Sequence, residues 1–322
     1  MKAFCIRTVL VWVMMISGPA MARADDAPTF TRTRDVIYGK KYGMALTMDV
    51  FTPKRDANGA AIIAVISGGF FSRPEMIQPV YYNELVNRGF TVFAVLHGSQ
   101  PKYTIPEIIA DMHRAVRFIR YHAGDYHIDP ERMGIVGGSA GGHLALMQGA
   151  AGDKGDPKAS DPVDRTSSRV QSVACFFPAT DFMNFGGQGK EHYGDVVGLP
   201  FRAAFDYHEF DKAQGRYIRV TDKEKLREIS RKVSPITHVT AENPPTLIIH
   251  GDKDGLVPIQ QSQRIMAKYQ ELGVTAKLIT KPGADHGWAG MDKDFVTIAE
   301  WFEKYLQKPT NSGQNTKNTG KE

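Results

Sequence analysis

Cysteine is nearly absent: the 322-residue chain has two, Cys5 and Cys175. Cys5 lies in an N-terminal segment with the features of an export signal. That would leave Cys175 alone, with no intrachain disulfide to form. It sits in the apolar run 173–177 and reads as a buried, inert core thiol. No His, Cys, Asp or Glu pattern has metal-ligand spacing. The glycine-rich stretch 186–189 falls inside an insertion and not between a strand and a helix, so it is no phosphate loop. No metal and no bound cofactor are expected. Charge of one sign is also scarce, with 40 basic residues against 35 acidic. That balance gives nothing for nucleic acid or an anionic membrane surface to hold.

Long hydrophobic runs are lacking too. The apolar run 9–16 is too short to span a bilayer, so no stable membrane insertion is expected. Lys2 and Arg7 precede it, and Ala22-Arg23-Ala24 follows as a small-residue cleavage site, which together make an export signal over residues 1–24. The expected product is periplasmic or secreted. Its loss of Lys2, Arg7 and Arg23 lowers the formal charge from +5 to about +2. Residues 308–322 are rich in Asn, Gly, Thr and Lys and read as a disordered tail. Nothing in the sequence bears on oligomeric state.

What is present is an alternation of strands and helices over residues 25–307. Residues 44–51 alternate apolar and polar, as a half-buried strand near a sheet edge does. Continuous apolar runs at 60–66, 90–96, 133–136, 170–176 and 246–249 read as strands buried on both faces, and 276–279 as the last strand. Helices are expected over 76–88, 106–123, 140–150, 259–272 and 294–306. This rhythm predicts a doubly wound, mostly parallel α/β sheet in one large domain. One stretch breaks the rhythm. Residues 182–233 hold many aromatics, no buried strand and one amphipathic helix with Thr221 and Glu224 as its capping box. An insertion of that length reads as a cap or lid.

The chemistry lies in Gly137-Gly138-Ser139-Ala140-Gly141, where strand 133–136 meets a small-residue helix. A serine on such a strand-to-helix turn is presented above the sheet, beside backbone N–H groups and the positive end of a helix. It is a useful nucleophile only with a base, a group that orients the base, and donors for the oxyanion. The loop after strand 246–249 offers Asp252 and Asp254; Asp254 lies further along and is favoured, Asp252 bracing the turn. The loop after the last strand offers His286. Asp285, as its immediate neighbour, is badly placed to orient its ring. The loop after strand 60–66, Ser67-Gly68-Gly69-Phe70-Phe71-Ser72, offers the N–H groups of Gly69 or Phe70, to join that of Ala140. His143, one helical turn past Ser139, reads as a packing residue, and His97 as a candidate for the pocket rim. Glu228 and Lys232 read as an i,i+4 surface pair. Phe71 and Trp288 are candidate substrate-binding residues.

These segments, with Phe177-Pro178-Ala179-Thr180-Asp181 and the run Pro244 through Asp254, resemble the α/β-hydrolase superfamily, specifically its exported bacterial esterase branch of feruloyl- and acetyl-xylan-esterase-like enzymes. The resemblance covers about residues 44–305. It implies a Ser139–His286–Asp254 triad, an acyl-enzyme mechanism, and a small-molecule or polysaccharide-linked carboxylic ester as substrate. Such relatives commonly begin the oxyanion loop with histidine, where this chain has Ser67. Two rivals remain. A serine peptidase of the prolyl-oligopeptidase type shares these motifs, but the region before the domain is too short for its propeller. A non-catalytic binding homologue would be expected to have lost one of the three residues, and all three are present.

Overall fold

The computed structural model describes residues 29–308. The expected export signal, residues 1–24, and the expected tail, residues 308–322, apart from residue 308 itself, lie outside them. The strands are β1 (Phe30–Lys41), β2 (Met44–Pro53), β3 (Ala61–Ile66), β4 (Thr91–Leu96), β5 (Met133–Gly138), β6 (Ser172–Phe176), β7 (His208–Asp211), β8 (Arg216–Arg219), β9 (Thr246–Gly251) and β10 (Ala276–Lys281). The helices are α1 (Asn83–Asn87), α2 (Ile105–Tyr121), α3 (Ala140–Ala151), α4 (Lys223–Lys232), α5 (Gln260–Glu271) and α6 (Phe295–Tyr305).

Eight strands form one sheet in the order β1-β2-β4-β3-β5-β6-β9-β10. Only the β1/β2 and β2/β4 pairs are antiparallel; the rest are parallel. The continuous apolar runs are explained by two covered faces. In β3, Ala61, Ile63 and Val65 pack with residues of α2, α3 and α5, while Ile62, Ala64 and Ile66 pack with residues of α1 and α6. Successive side chains point to opposite faces, so a strand covered on both must be apolar throughout.

Residues 44–51, as β2, lie next to the sheet edge as expected. Four features were not expected. The edge itself is formed by β1. Its Thr-Arg-Thr-Arg-Asp start carries no apolar period, since an edge strand is kept soluble by charge. The helix expected over 76–88 is two 3₁₀ turns, Pro74–Met76 and Pro79–Tyr81, followed by the short α1. Each turn starts on a proline, which has no N–H to continue a helix. In the insertion, β7 and β8 make an exposed antiparallel hairpin that was not expected. The cap of α4 is Asp222, not Thr221: its carboxylate accepts the Lys225 N–H at 2.9 Å. By contrast α2 carries a full capping box, Thr104 with Glu107. The parallel strands share one direction, so the loops after β3, β5, β9 and β10 all emerge at one end of the sheet.

Candidate active site

Ser139 stands between β5 and α3 with φ 54° and ψ −120°, a conformation that L-residues rarely adopt. The surroundings enforce it. A Cβ on Gly137 would meet the Gly141 carbonyl at 2.4 Å, one on Gly141 the Val65 carbonyl at 2.9 Å, and one on Gly142 the Phe176 carbonyl at 2.8 Å. Only glycine lets β5 and α3 approach so closely. The Ser139 N–H is tied to the Phe176 carbonyl at 3.0 Å, and the Ser139 carbonyl accepts the His143 N–H at 2.9 Å. The strain holds Oγ up above the sheet.

There Oγ lies 2.9 Å from His286 Nε2, and His286 Nδ1 lies 2.7 Å from Asp254 Oδ2. A carboxylate only accepts, so Nδ1 carries the proton, and Nε2 keeps the lone pair that accepts from Ser139. Asp254 is the carboxylate aligned on His286. Its other oxygen accepts the N–H groups of Leu256 at 2.9 Å and Val257 at 2.8 Å. Burial alone would raise the Asp254 pKa. Hydrogen bonds from His250, His286 and the Val257 N–H, with the electrostatic pull of His286, together outweigh burial and hold it well below the usual carboxylate range. Asp252 accepts the Gly283 N–H at 2.6 Å, and Asp285 accepts the Gly255 N–H at 2.9 Å. The two carboxylates that are not aligned on the imidazole thus clamp the acid loop to the base loop. Asp252 braces the facing loop and not, as expected, its own turn.

The loop after β3 is a tight turn. Gly68 and Phe71 exchange backbone hydrogen bonds of 3.0 and 2.9 Å, and the residues between them, Gly69 and Phe70, have φ of 54° and 65°. Within the described residues no acceptor takes the N–H of Gly69, Phe70 or Ala140, and all three residues border the space at Ser139. Ser67 does not fix this loop, because its buried Oγ has no partner. Gln100 does: its side-chain amide donates to the Gly69 carbonyl and its backbone N–H to the Phe70 carbonyl at 3.1 Å. Both carbonyls are drawn toward the β4–α2 loop, which frees the N–H groups to face the site.

Above Ser139 lies a cavity of about 230 Å³, closed over by residues of the 182–233 insertion, among them Phe182, Val197 and Phe205. A second space, about 520 Å³, opens beside His286. Phe71 and Trp288, the expected substrate contacts, are among the lining of neither. Phe71 closes the Gly68 turn through its backbone. Trp288 donates to Asp294 at 2.7 Å and packs edge-on against Phe176 and Phe177. Leu199, Phe201 and Leu256 take the expected rim position instead. His97 is buried and off the rim, while His143 packs between Phe70 and Phe182, as a packing histidine should. Among the described residues no group of three or more His, Cys, Asp and Glu side chains could hold a metal, and no helix is long and apolar enough to cross a membrane.

With this geometry in place, a family model named BD-FAE matches residues 48–269. The chain belongs to the BD-FAE family. The matched span begins in β2 and ends in α5, so it takes in the oxyanion loop, Ser139 and Asp254 but stops short of His286. Among curated proteins, this BD-FAE chain is 28% identical over 243 residues to the probable carboxylic ester hydrolase LipM of Mycobacterium tuberculosis, covering 74% of itself and 52% of that protein. It is 28% identical over 264 residues to esterase LipQ of the same organism, covering 80% and 57%. The chain thus spans about half the length of these relatives. Among solved structures it superposes on a truncated carbohydrate esterase from gut microbiota with a TM-score of 0.69 at 26% identity, over 87% of this chain and 98% of that one. The fold is that of the α/β-hydrolase esterases.

Two residues of this BD-FAE site escaped the sequence reading. Gln100 is one. The other is His250, fully buried at the end of β9. Its Nε2 lies 3.2 Å from Asp254 Oδ2 and 2.9 Å from the Val257 carbonyl, and its Nδ1 lies 2.7 Å from Ser262 Oγ. Two acceptors on one nitrogen make Nε2 the donor, so His250 braces Asp254 from below. The spacing of four from His250 to Asp254 was the available signal.

Proposed function

We propose that the chain is an exported serine hydrolase of carboxylic esters, deacylating acetylated or feruloylated polysaccharide. The observation that carries the reading is the unbroken line Ser139 Oγ–His286 Nε2, His286 Nδ1–Asp254 Oδ2, at 2.9 and 2.7 Å, beside three unengaged N–H groups. His286 takes the Ser139 proton as Oγ attacks the ester carbon. Asp254, ionised throughout, stabilises the imidazolium that forms. The N–H groups of Gly69 or Phe70 and of Ala140 hold the oxyanion. Collapse expels the alcohol with the proton from His286, and water then hydrolyses the acyl-enzyme by the reverse proton path. The names of LipM and LipQ support ester hydrolysis, and the carbohydrate esterase from gut microbiota supports a sugar-linked ester.

A fluorophosphonate probe tests the nucleophile. It should label wild type at Ser139, and Ser139→Ala should abolish both labelling and hydrolysis of short p-nitrophenyl esters. Unlabelled wild type would leave a binding module, and turnover of peptide amides in place of esters would make the chain a serine peptidase. Export is supported by the basic start, the apolar run and the Ala22-Arg23-Ala24 site. Protein recovered outside the cytoplasm should begin at Asp25.

A further inference from the structure

Two spaces meet at Ser139, and one aromatic ring stands between them. The smaller, about 230 Å³, lies beneath the insertion against Phe70, Ala140 and Phe185. The larger, about 520 Å³, lies over the ends of β3 and β5 against Ser67, Tyr81, His286 and Met291. Phe201 borders both, as do Gly69, Ser139 and Leu256. The Phe201 ring is seated on the oxyanion loop so tightly that a Cβ on Gly69 would come within 2.4 Å of it.

Resting on the esterase reading above, we propose that Phe201 is the partition that sorts the two halves of the ester: the acyl group enters the smaller chamber and the alcohol lies in the larger groove. The assignment follows from the proton. As the Ser139 Oγ–carbon bond forms and the carbon–alkoxy bond breaks, the Ser139 proton travels through His286 Nε2 to the departing oxygen. The alcohol must therefore leave on the side that His286 borders, which is the larger space alone. The oxyanion faces Gly69, Phe70 and Ala140. The one direction left to the acyl chain is the chamber, which His286 does not border. Water for the second half-reaction reaches His286 through the groove that the alcohol has vacated.

The chamber also sets the acid. Its walls are aromatic and aliphatic, and a dry apolar cavity of about 150 Å³ is enough to take a benzene ring. At about 230 Å³, it suits an aromatic or medium-length apolar acid and is largely unfilled by acetate. A fitted apolar pocket discriminates about tenfold or more per methylene. The preferred ester is thus that of a bulky apolar acid.

Two series of kcat/KM values test this: p-nitrophenyl esters of rising acyl length plus phenylpropanoate, and butyrate esters of different alcohols. Wild type should prefer hexanoate or phenylpropanoate to acetate by at least about tenfold. Phe201→Ala joins the two spaces and should raise the decanoate-to-hexanoate ratio about tenfold. Phe185→Ala, in the chamber only, should change the acyl ranking and not the alcohol ranking; Met291→Ala, in the groove only, should do the reverse. These two keep the test decisive if Phe201→Ala does not fold. Acetate as the best substrate, or the two rankings moving with the opposite variants, overturns the partition while leaving the esterase reading intact. A wild type that turns over no ester and takes no fluorophosphonate overturns both.

Discussion

The loops that carry Ser139, Asp254 and His286 and the insertion that overhangs them are held by different forces. The loops are pinned by hydrogen bonds to backbone, several crossing between the acid loop and the base loop: Asp252 to Gly283 at 2.6 Å, Asp285 to Gly255 at 2.9 Å, and the Lys253 N–H to the Ala284 carbonyl at 2.9 Å. The insertion is held by stacked rings, such as Phe185 on His192 at 4.2 Å, and by exposed ion pairs, such as Lys232 with Glu228 and Lys225 with Glu209. It is also anchored by buried core residues such as Phe182, Val197 and Phe205, and at its base the fully buried Gln261 accepts the N–H groups of Thr180 and Asp181 at 2.9 and 2.8 Å. Proton transfer tolerates little displacement, whereas a wall that shapes a substrate tolerates a good deal. On the proposed esterase reading, the sheet end supplies the chemistry and the insertion the selectivity.

The contrast is sharpest at the nucleophile. Ser139→Ala should lower kcat by on the order of 10⁶-fold, and Asp254→Asn by on the order of 10⁴-fold through loss of the correct His286 tautomer. Adding the second change to the first should cost almost nothing more, since the residues act as a unit. Single-turnover kinetics on all three variants check this. An insertion variant that lost as much while keeping its fold would break the division.

A second large effect is on stability. Burial pushes the His143 pKa down to about 3; burial and the charge of Lys41, against a hydrogen bond to Gly98, bring that of His97 to about 4. Both are buried and neutral in the fold but free to protonate near 6.5 once unfolded. Below about pH 6.5 the unfolded chain therefore binds more protons, and stability falls as pH falls toward 4. Burial brings His113 to about 4 as well, so the three histidines should cost about 4 kcal/mol between pH 7.5 and 5.5, read from urea midpoints. His143→Phe should remove about a third of that slope. Asp254, whose pKa is depressed, stays ionised across this range and adds nothing to it.

Much of this was legible in the sequence, for a physical reason. Strands β3 to β6 and β9 are covered on both faces, so burial had to appear as unbroken apolar runs. The elbow was legible because close approach of β5 and α3 admits only glycine. Asp254 and His286 followed from where a parallel sheet must end its strands. What stayed hidden depends on contacts that no local pattern encodes. β1 is an edge strand whose charge disguises it, and β7 and β8 bury almost nothing. Gln100 meets Gly69 across 31 positions of chain. Phe71 and Trp288 were expected at the substrate because they adjoin the motifs, yet one closes a turn and the other packs against Phe176 and Phe177.

Gln100 also gives a smaller, sharper test of the division, since it acts on the chemistry from outside the triad. Gln100→Ala releases the Gly69 carbonyl, and the N–H groups lose their fixed aim at the oxyanion. Losing a donor outright costs on the order of 10² in kcat, so a misaimed one should cost about ten- to a hundredfold. The loss should fall on kcat and on the rate of fluorophosphonate labelling, with KM nearly unchanged, because the donors act on the transition state. A change confined to KM would place Gln100 with the selectivity elements instead.

The smallest effect is expected on the outer face of α4. Lys232 and Glu228 are paired at 2.6 Å, but their side chains remain 69% and 61% exposed. Solvent and salt screen such a pair, and holding two long side chains together costs entropy. Lys232→Ala should therefore change the unfolding free energy by no more than about 0.5 kcal/mol and leave kcat within twofold. The same substitution at Gln261, beneath the insertion, should cost several times more, because it leaves the Thr180 and Asp181 N–H groups buried without an acceptor. If the two variants proved equal, the insertion would be held by its surface pairs as much as by its base, and its separation from the sheet end would lose its physical ground.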